Sequence, residues 1–213
     1  MSELIGSYEN NYKKGVNMRT SWNNKNKSIK SNKREWFETV AIMMMVIFIK
    51  IFVFEITYVS GQSMSPTIEG GDSLLLKKYE SILNIEEYNR GDIVVFESPV
   101  EKEEKPFSKK MFVKRVIGLP GDRINISGGK VFVNSEPINE VYIENNSFTD
   151  SLYYGDNYIV PEGEIFVIGD NRSPGGSNDS RSFASISLES IKGKAVFRIF
   201  PFDKIGSLKL MNY

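Results

Sequence analysis

The sequence predicts a mainly antiparallel β domain that is preceded by one N-terminal membrane helix. After residue 58, short segments rich in Val, Ile, Phe and Tyr alternate with turns of Gly, Asn, Asp and Pro, a pattern typical of strands and hairpins. Before that point, residues 36–54 form one long apolar run behind a basic tail. Hardly any helical period follows the run, so we expect one β domain behind a single anchor.

The first 35 residues predict a basic cytoplasmic tail. Residues 1–35 carry eight Lys or Arg against three Glu, a net charge of about +5, and are rich in Asn, Lys and Ser. Basic groups in this position favour contact with anionic lipid. The rest of the chain has a net charge near −5, because the whole chain is neutral.

The next segment, residues 36–58, is predicted to be a transmembrane anchor. Nineteen residues from Trp36 to Phe54 are interrupted only by Glu38 and Lys50, and as a helix they would span roughly 28 Å, about the thickness of a bilayer core. Their uninterrupted apolar part has eleven residues, a length that equally suits a buried helix or a signal peptide. The long basic tail and the lack of a small-x-small cleavage site favour an uncleaved anchor with a cytoplasmic N-terminus.

Residues 59–213 are predicted to form the extracytoplasmic β domain. Alternating apolar residues between turn signals predict seven strands, at Ser73–Lys78, Ile93–Glu97, Phe112–Ile117, Arg123–Ile126, Lys130–Val133, Ile165–Ile168 and Gly193–Ile199.

The absence of both His and Cys limits the chemistry of the chain. Disulfides, thiolate metal sites, cysteine nucleophiles and imidazole-dependent mechanisms are excluded. A hydrolase of this composition has to activate its nucleophile with a carboxylate, a lysine or a metal held by oxygen ligands.

The first motif with chemical content is SGQSMSPTI at residues 60–68, just after the predicted anchor. A serine between Gly and Pro is most often a turn residue. Ser63 is nevertheless a candidate nucleophile.

The second motif, MFVKRVIGLPGD at residues 111–122, is an apolar strand that ends in a Pro-Gly-Asp turn. Alternation places Lys114 and Arg115 on opposite faces, so one of them points inward or is accounted for by partners. An exposed edge would explain two adjacent cations without any function. An inward lysine is able to act as a base only if burial lowers its pKa well below the ordinary value of about 10.4.

The third motif is the polar loop GDNRSPGGSNDSR at residues 169–181. Such loops usually form turns that hydrogen-bond internally. Calcium binding is an alternative, but the acidic residues do not have the spacing of an EF-hand. The functional interpretation is a rigid support around a reactive pair. A separate S-x-x-K pattern at residues 127–130 lies in a predicted hairpin turn and lacks its companion motifs, so we discard it.

In this order behind an anchor, the motifs closely resemble those of the bacterial type I signal peptidases. The resemblance extends from residue 35 onward and includes RGDIVVF at residues 90–96 and IKGKA at residues 191–195. It implies a barrel-like antiparallel catalytic domain with a small β extension at about residues 122–164. It also implies a Ser-Lys serine endopeptidase that needs neither a metal nor an organic cofactor.

The resemblance assigns roles to particular residues. Ser63 corresponds to the family's nucleophile and Lys114 to its general base. The supporting positions are Ser177, which would hold the lysine nitrogen, and Arg115, Asp170, Asn171, Asp179 and Arg181. The oxyanion is expected at the backbone N–H of Ser63, and Gly61 stands where one branch of the family has a second, serine donor. The third motif is two residues longer than the family pattern, which affects the alignment of Ser177.

The resemblance also implies a substrate class. An extended signal peptide would lie beside the segments before Ser63 and before Lys114, with small residues of an Ala-x-Ala pattern in shallow apolar pockets. By motif position, these pockets are lined by Val59, Gly61, Met64, Ile68 and Val113. The expected partners are preprotein signal peptides, the lipid bilayer and a nearby secretion translocon, with no nucleic acid. The expected location is the cell membrane, with a single span.

Two alternatives remain open at the level of sequence. The first is a self-cleaving repressor with a related Ser-Lys fold, although residues 1–35 lack a DNA-binding helical domain. The second is a catalytically inert or dedicated protein of the same scaffold that assists the assembly of surface proteins or pilins.

Overall fold

The computed structural model describes residues 33–49, 53–78, 88–102, 109–145 and 147–208, together with positions 17, 19 and 22. The chain divides into two compact units, Met1–Ile49 and Lys50–Tyr213. Most of the predicted tail, residues 1–35, lies outside the described residues.

The first unit contains helix α1 over residues 33–49. Its first turns are stabilised locally, because Arg34 pairs with Glu38 at 2.9 Å and the Thr39 hydroxyl donates to the carbonyl of Glu35 at 2.8 Å. The large apolar side chains that follow are exposed, among them Met44 at 60% and Phe48 at 57%. Judged on length and apolar character together, none of the described helices meets the requirement for crossing a bilayer.

Within its described residues, the second unit contains twelve strands in two antiparallel sheets, which confirms the predicted mainly antiparallel β class. The strands are β1 Phe54–Tyr58, β2 Ser73–Lys77, β3 Ile93–Lys102, β4 Lys109–Gly118, β5 Arg123–Ser127, β6 Lys130–Val133, β7 Glu136–Pro137, β8 Tyr158–Ile159, β9 Glu164–Ile168, β10 Ile186–Ser187, β11 Ile191–Phe200 and β12 Gly206–Ser207. A short helix α2, Ser180–Phe183, and 3-10 turns at Leu188–Ser190 and Phe202–Lys204 lie between them.

The larger sheet has the strand order β1-β2-β11-β3-β4-β9-β10, and β12 pairs with β11. Strand β11, close to the end of the chain, therefore joins the hairpin partners β1 and β2 to β3 and β4. The register places Lys114 of β4 opposite Val94 and Arg115 opposite Ile93. Strands β1 and β4 thus belong to one sheet, separated by β2, β11 and β3.

Strand β1 differs from the sequence analysis, which assigned residues 54–58 to the predicted anchor. All five residues pair with β2 in antiparallel register, from Phe54 opposite Lys77 to Tyr58 opposite Ser73. The segment FEITY is rich in aromatic and β-branched residues, which favour strands. Its apolar character is continuous with the preceding run, so hydropathy alone does not mark the boundary.

The second sheet has the order β7-β6-β5-β8 and lies within the range 122–164. Strand β9 explains how it packs, because the two faces of β9 enter different apolar clusters. Ile165 and Val167 pack with residues of β3 and β4, whereas Phe166 and Ile168 pack with residues of the second sheet. The second sheet thus covers the face of β9 that the rest of the large sheet leaves open.

Candidate active site

Ser63 lies on the turn that connects β1 to β2. Two backbone hydrogen bonds close the base of this turn, from Val59 N–H to the carbonyl of Asp72 at 2.9 Å and from Gly71 N–H to the carbonyl of Val59 at 2.8 Å. Met64 is only 1% exposed and packs in a core cluster with Val59. The turn is therefore anchored at both ends and directly beside Ser63, which is itself half-buried.

The carboxyl-terminal part of the chain supports the same turn. Arg198 of β11 forms an ion pair with Asp72 at 3.0 Å and donates to the carbonyl of Thr67. Asp72 also accepts a hydrogen bond from the N–H of Glu69 at 3.1 Å. At the surface, Lys204 pairs with Glu69 at 2.6 Å, and their hydrogen bond and mutual charge lower the pKa of Glu69 and raise the pKa of Lys204.

Lys114 extends from the middle of β4 to Ser63. Its side chain is buried, with 2% of the residue exposed. The Nζ atom is 2.7 Å from the Oγ of Ser63 and donates to the carbonyl of Val113 at 3.0 Å. The ring of Phe112 lies 4.9 Å from Nζ. An amine and a hydroxyl are thus in direct hydrogen-bond contact, with an aromatic ring over the amine.

Both residues of the pair line a cleft of about 220 Å³. Val59, Gly61, Met64 and Val113, four of the predicted substrate-binding residues, line this cleft. The fifth, Ile68, is fully buried in the core cluster below the turn, and the cleft wall does not include it. The wall also contains residues that the sequence analysis did not name: Thr57, Tyr58, Ser60, Val95, Lys110, Met111, Phe112 and Asn178.

The polar loop at residues 169–181 packs against the backbone of the Ser63 turn. Asn171 donates its N–H to the carbonyl of Ser63 and its side-chain amide to the carbonyl of Gln62, both at 3.1 Å. A Cβ added at Gly169 would collide with the Oγ of Ser177 and with the carbonyl oxygen of Ser63. These two atoms therefore flank Gly169, and the loop fits only because this position has no side chain.

Asp179 organises the end of the loop. The hydroxyl of Ser177 donates to Asp179 at 2.7 Å, the N–H of Gly169 donates at 3.0 Å, and Arg181 contributes two bonds at 2.9 Å. Burial alone would raise the pKa of Asp179, but the hydrogen bonds and charge of Arg181, with smaller contributions from Gly169 and Ser177, lower it below the ordinary value. Asp179 is therefore a buried carboxylate.

Arg115 and Asp170 form a second buried ion pair on the other face of β4. The guanidinium makes two bonds to the carboxylate, at 2.8 and 2.6 Å, and the side chains are 1% and 0% exposed. Arg115 also donates to the carbonyl of Gly91 at 2.9 Å and lies 4.0 Å from the ring of Tyr142. The partners of Arg115 thus account for the second of the two adjacent cations, Lys114 and Arg115. The alternation of side chains along the strand had predicted that one of them points inward or has such partners.

The sequence analysis missed Arg172, which links the loop to the second sheet region. Its fully buried side chain pairs with Glu140 and donates to the hydroxyl of Thr149 at 2.7 Å and to the carbonyl of Gly169 at 2.9 Å. Burial would lower the pKa of Arg172, but the charge and hydrogen bond of Glu140 raise it. The local signal was weak, because Arg172 is one of two arginines in a loop of Asx, Ser and Gly.

The described residues contain no group of three or more His, Cys, Asp or Glu that could hold a metal ion. What the cleft does contain is a hydroxyl in contact with a buried amine. An uncharged amine in this position is able to accept the proton of the hydroxyl, and the oxygen is then able to attack a carbonyl carbon.

Comparison with known proteins gives a consistent result. Residues 33–200 match the model of a family described as signal peptidase, peptidase S26. Signal peptidase I of Leptolyngbya laminosa is 35% identical over 177 residues, covering 82% of this chain and 83% of that protein. Signal peptidase I of Bacillus caldolyticus is 36% identical over 192 residues, covering 85% and 97%.

A crystal structure of a signal peptidase I from Enterococcus faecalis is 30% identical and covers 51% of this chain and 97% of that one, with a TM-score of 0.41. The family model and the two relatives each match most of the chain. The chain therefore belongs to the signal peptidase family, peptidase S26, and is an enzyme of the signal peptidase I type.

Proposed function

We propose that this chain is a membrane-bound serine endopeptidase that removes N-terminal signal peptides from exported preproteins after Ala-x-Ala-like sites. Ser63 is the nucleophile and Lys114 is the general base. The observation that carries the proposal is the 2.7 Å contact between Lys114 Nζ and Ser63 Oγ in the wall of an accessible cleft. The curated relatives named signal peptidase I support the substrate class.

The chemistry begins with Lys114 in the uncharged form. Burial disfavours an ammonium ion, and Nζ contacts the hydroxyl of Ser63, the carbonyl of Val113 and the ring of Phe112. The amine takes the proton of Ser63 as Oγ attacks the scissile carbonyl, and it returns that proton to the leaving amine as the peptide bond breaks. In the second half, Lys114 takes a proton from water as the water oxygen attacks the acyl carbonyl, and it returns that proton to Oγ of Ser63 as the ester bond breaks and the signal peptide leaves with a free carboxyl group.

The oxyanion of each tetrahedral intermediate is assigned to the backbone N–H of Ser63. A fixed donor stabilises developing charge only if it does not have to reorganise. The bonds that Asn171 makes to the carbonyls of Ser63 and Gln62 support such rigidity.

The loop residues are assigned supporting roles. Ser177 donates to Asp179, so its oxygen is free to accept a further hydrogen bond, and we assign that bond to the Nζ of Lys114. Asp179 and Arg181 hold Ser177 in this orientation. The Arg115–Asp170 pair fixes the strand that carries Lys114.

The substrate is assigned to the cleft as an extended strand beside the segments before Ser63 and before Lys114. The walls contributed by Val59, Met64 and Val113 are apolar, which suits small apolar side chains such as Ala. A larger side chain would have to displace Met64, which is 1% exposed and packed in the core.

The domain organisation is part of the proposal. Residues 1–35 form a cytoplasmic tail, the apolar segment from residue 36 up to β1 forms the anchor, and residues 59–213 form the extracytoplasmic catalytic domain with its β extension at residues 122–164. Apolar side chains exposed along α1 support an anchor, because a helix apolar on all sides requires protein or lipid around it. The anchor holds the cleft near the bilayer and the secretion translocon, where signal peptides emerge.

The test uses the full chain in detergent micelles with a preprotein that has an Ala-x-Ala site. Ser63→Ala and Lys114→Ala should each remove cleavage, whereas the matched variants Ser127→Ala and Lys130→Ala should retain it. The controls alter the other Ser-Lys pair of the sequence, which is exposed at the β5–β6 hairpin. Product mass identifies the cut.

Full activity in either Ser63→Ala or Lys114→Ala would reject the dyad. Cleavage at sites without small residues would reject the Ala-x-Ala specificity. A wild-type chain that binds preproteins without cutting them would favour the alternative of an inert assembly protein.

A further inference from the structure

A second cavity of about 280 Å³ lies beside the polar loop, and the proposed mechanism does not use it. The lining residues come from two places, the segment between β7 and β8 and residues 172–182, and seven of the ten are polar or charged. The lining residues are Asp150, Leu152, Arg172, Ser173, Pro174, Gly175, Ser177, Asn178, Arg181 and Ser182.

This cavity and the catalytic cleft are neighbours. Asn178 lines both spaces. Ser177, which lines the second cavity, flanks Gly169 together with the carbonyl oxygen of Ser63. A chain that follows the cleft to Ser63 and continues past Asn178 therefore reaches the second cavity.

We propose that the second cavity binds a side chain from the first two residues that follow the cut, at the start of the mature protein. This inference rests on the proposed function. The segments before Ser63 and before Lys114 form most of the cleft wall and are assigned to the residues ahead of the cut. The substrate beyond the scissile bond then extends toward Asn178. Two residues of an extended chain span about 7 Å, and over this length one of their side chains is able to enter the second cavity.

The charges of the wall specify the kind of side chain that fits. Arg172 is paired with Glu140 and Arg181 with Asp179, so both cations of the lining are neutralised by carboxylates. Asp150 is exposed at the cavity, and its backbone carbonyl accepts a bond from Arg181 at 3.3 Å. The lining thus adds one further negative charge and the hydroxyls of its serines. Basic or neutral polar side chains are favoured here over acidic ones.

The experiment measures kcat/KM for the full chain with preproteins that carry Lys, Gln or Glu at the first or second position after the cut. The wild type should cleave the Lys substrate about two- to fivefold faster than the Glu substrate at one of these positions, as expected for a partly exposed ion pair. Asp150→Asn should remove this preference, and Asp150→Lys should reverse it. Asp156→Asn, an exposed carboxylate outside the lining, should keep it.

A steric variant provides a second measurement. Ser173 is exposed at the cavity, where its backbone N–H donates to the side chain of Asn171 and its carbonyl accepts from the N–H of Gly176. Ser173→Trp should therefore slow the substrate with Lys more than the substrate with Ala at the same position.

The outcomes separate this inference from the proposed function. A preference that is unchanged in Asp150→Asn, or absent from the wild type at both positions, overturns the second site while cleavage of the Gln substrate continues. Cleavage that persists in Ser63→Ala overturns the proposed function instead. Equal slowing of the Lys and Ala substrates by Ser173→Trp also counts against the site.

Discussion

Strand β4 carries Lys114 toward the cleft and Arg115 toward the ion-pair network, and although both side chains are buried, their surroundings differ. The amine of Lys114 contacts the hydroxyl of Ser63 and a backbone carbonyl. The guanidinium of Arg115 makes two bonds to the buried carboxylate of Asp170. Burial alone therefore does not define the role of a basic side chain. A paired carboxylate stabilises its charged form, whereas a neighbouring hydroxyl is compatible with an uncharged amine.

Replacing Lys114 by Met should give the largest effect, and it should be confined to catalysis. The change removes the proposed base but keeps a side chain of similar length, so cleavage should fall by about 10²–10⁴ or more, the contribution of a positioned base. Stability should be unchanged or higher, because the variant no longer buries an amine. Preprotein cleavage and urea unfolding of the same preparation measure the two effects.

A Lys114→Met protein that is strongly destabilised would contradict the difference proposed between Lys114 and Arg115. It would show that the amine is held as a paired ion, as Arg115 is.

Replacing Arg115 by Met should mainly destabilise the fold. The carboxylate of Asp170 would stay buried without its partner, which typically costs about 3–5 kcal/mol of unfolding free energy. The measurement is urea unfolding, and Lys204→Met, which breaks the exposed pair with Glu69, is the control expected to show no measurable change.

The double variant Arg115→Met with Asp170→Leu should recover much of the lost stability, because it removes both buried charges. If the double variant is no more stable than Arg115→Met, the loss comes from packing and not from an unpaired charge.

Gly169→Ala tests how the loop at residues 169–181 packs against the turn that carries Ser63. The added Cβ would collide with Ser177 and with the carbonyl of Ser63, so the loop or the turn has to shift. We expect a loss of about 1–3 kcal/mol, typical of overpacking, together with lower cleavage activity. Gly206→Ala is the matched control, because a Cβ there meets nothing within 4 Å. Wild-type stability and activity in Gly169→Ala would mean that this fit is not required.

The smallest effect concerns pH and a half-buried ion pair. Asp122 accepts bonds from Arg90 at 2.6 Å and from the N–H of Leu119 at 2.7 Å. Burial would raise the pKa of Asp122, but the hydrogen bond of Arg90 and those of Leu119 and Asn134 outweigh it and lower the pKa below the ordinary value. The ionised group therefore adds stability above about pH 3.9, and this contribution is lost as the pH falls through the folded-state pKa.

Asp122→Asn should thus lower the unfolding free energy by about 1–2 kcal/mol at pH 7. The difference from the wild type should shrink as the pH falls below about 3.9. A difference that stays constant from pH 7 to pH 2.5 would show that the charge of Asp122 is not the cause.

Sequence reasoning identified the seven predicted strands because each has a local signal. Short apolar segments bounded by turn residues, as in Ser73–Lys77, are visible in consecutive residues, and the structure then buries every second residue of that strand. Strand β1 was missed for the same reason, since Phe54–Tyr58 continues an apolar run without a turn signal. The pairing of β11 with both β2 and β3 joins segments more than 90 residues apart, and no local pattern encodes it.

The candidate site was predictable in its residue types but not in its contacts. The motifs named Ser63, Lys114 and the loop residues. They did not show that the Ser177 hydroxyl donates to Asp179, or that Ile68 lies below the cleft. Arg172 was missed because its partner Glu140 lies 32 residues away in a region without a motif.

The sequence by itself determined that this chain has no imidazole and no thiol, and that its domain consists of strands, because composition and alternation are local properties. Only the tertiary structure decided that Lys114 reaches Ser63 across 51 residues and that Arg115 next to it is neutralised. The environment of a buried charge depends on residues that sequence separation keeps apart and that sheet pairing and core packing bring together.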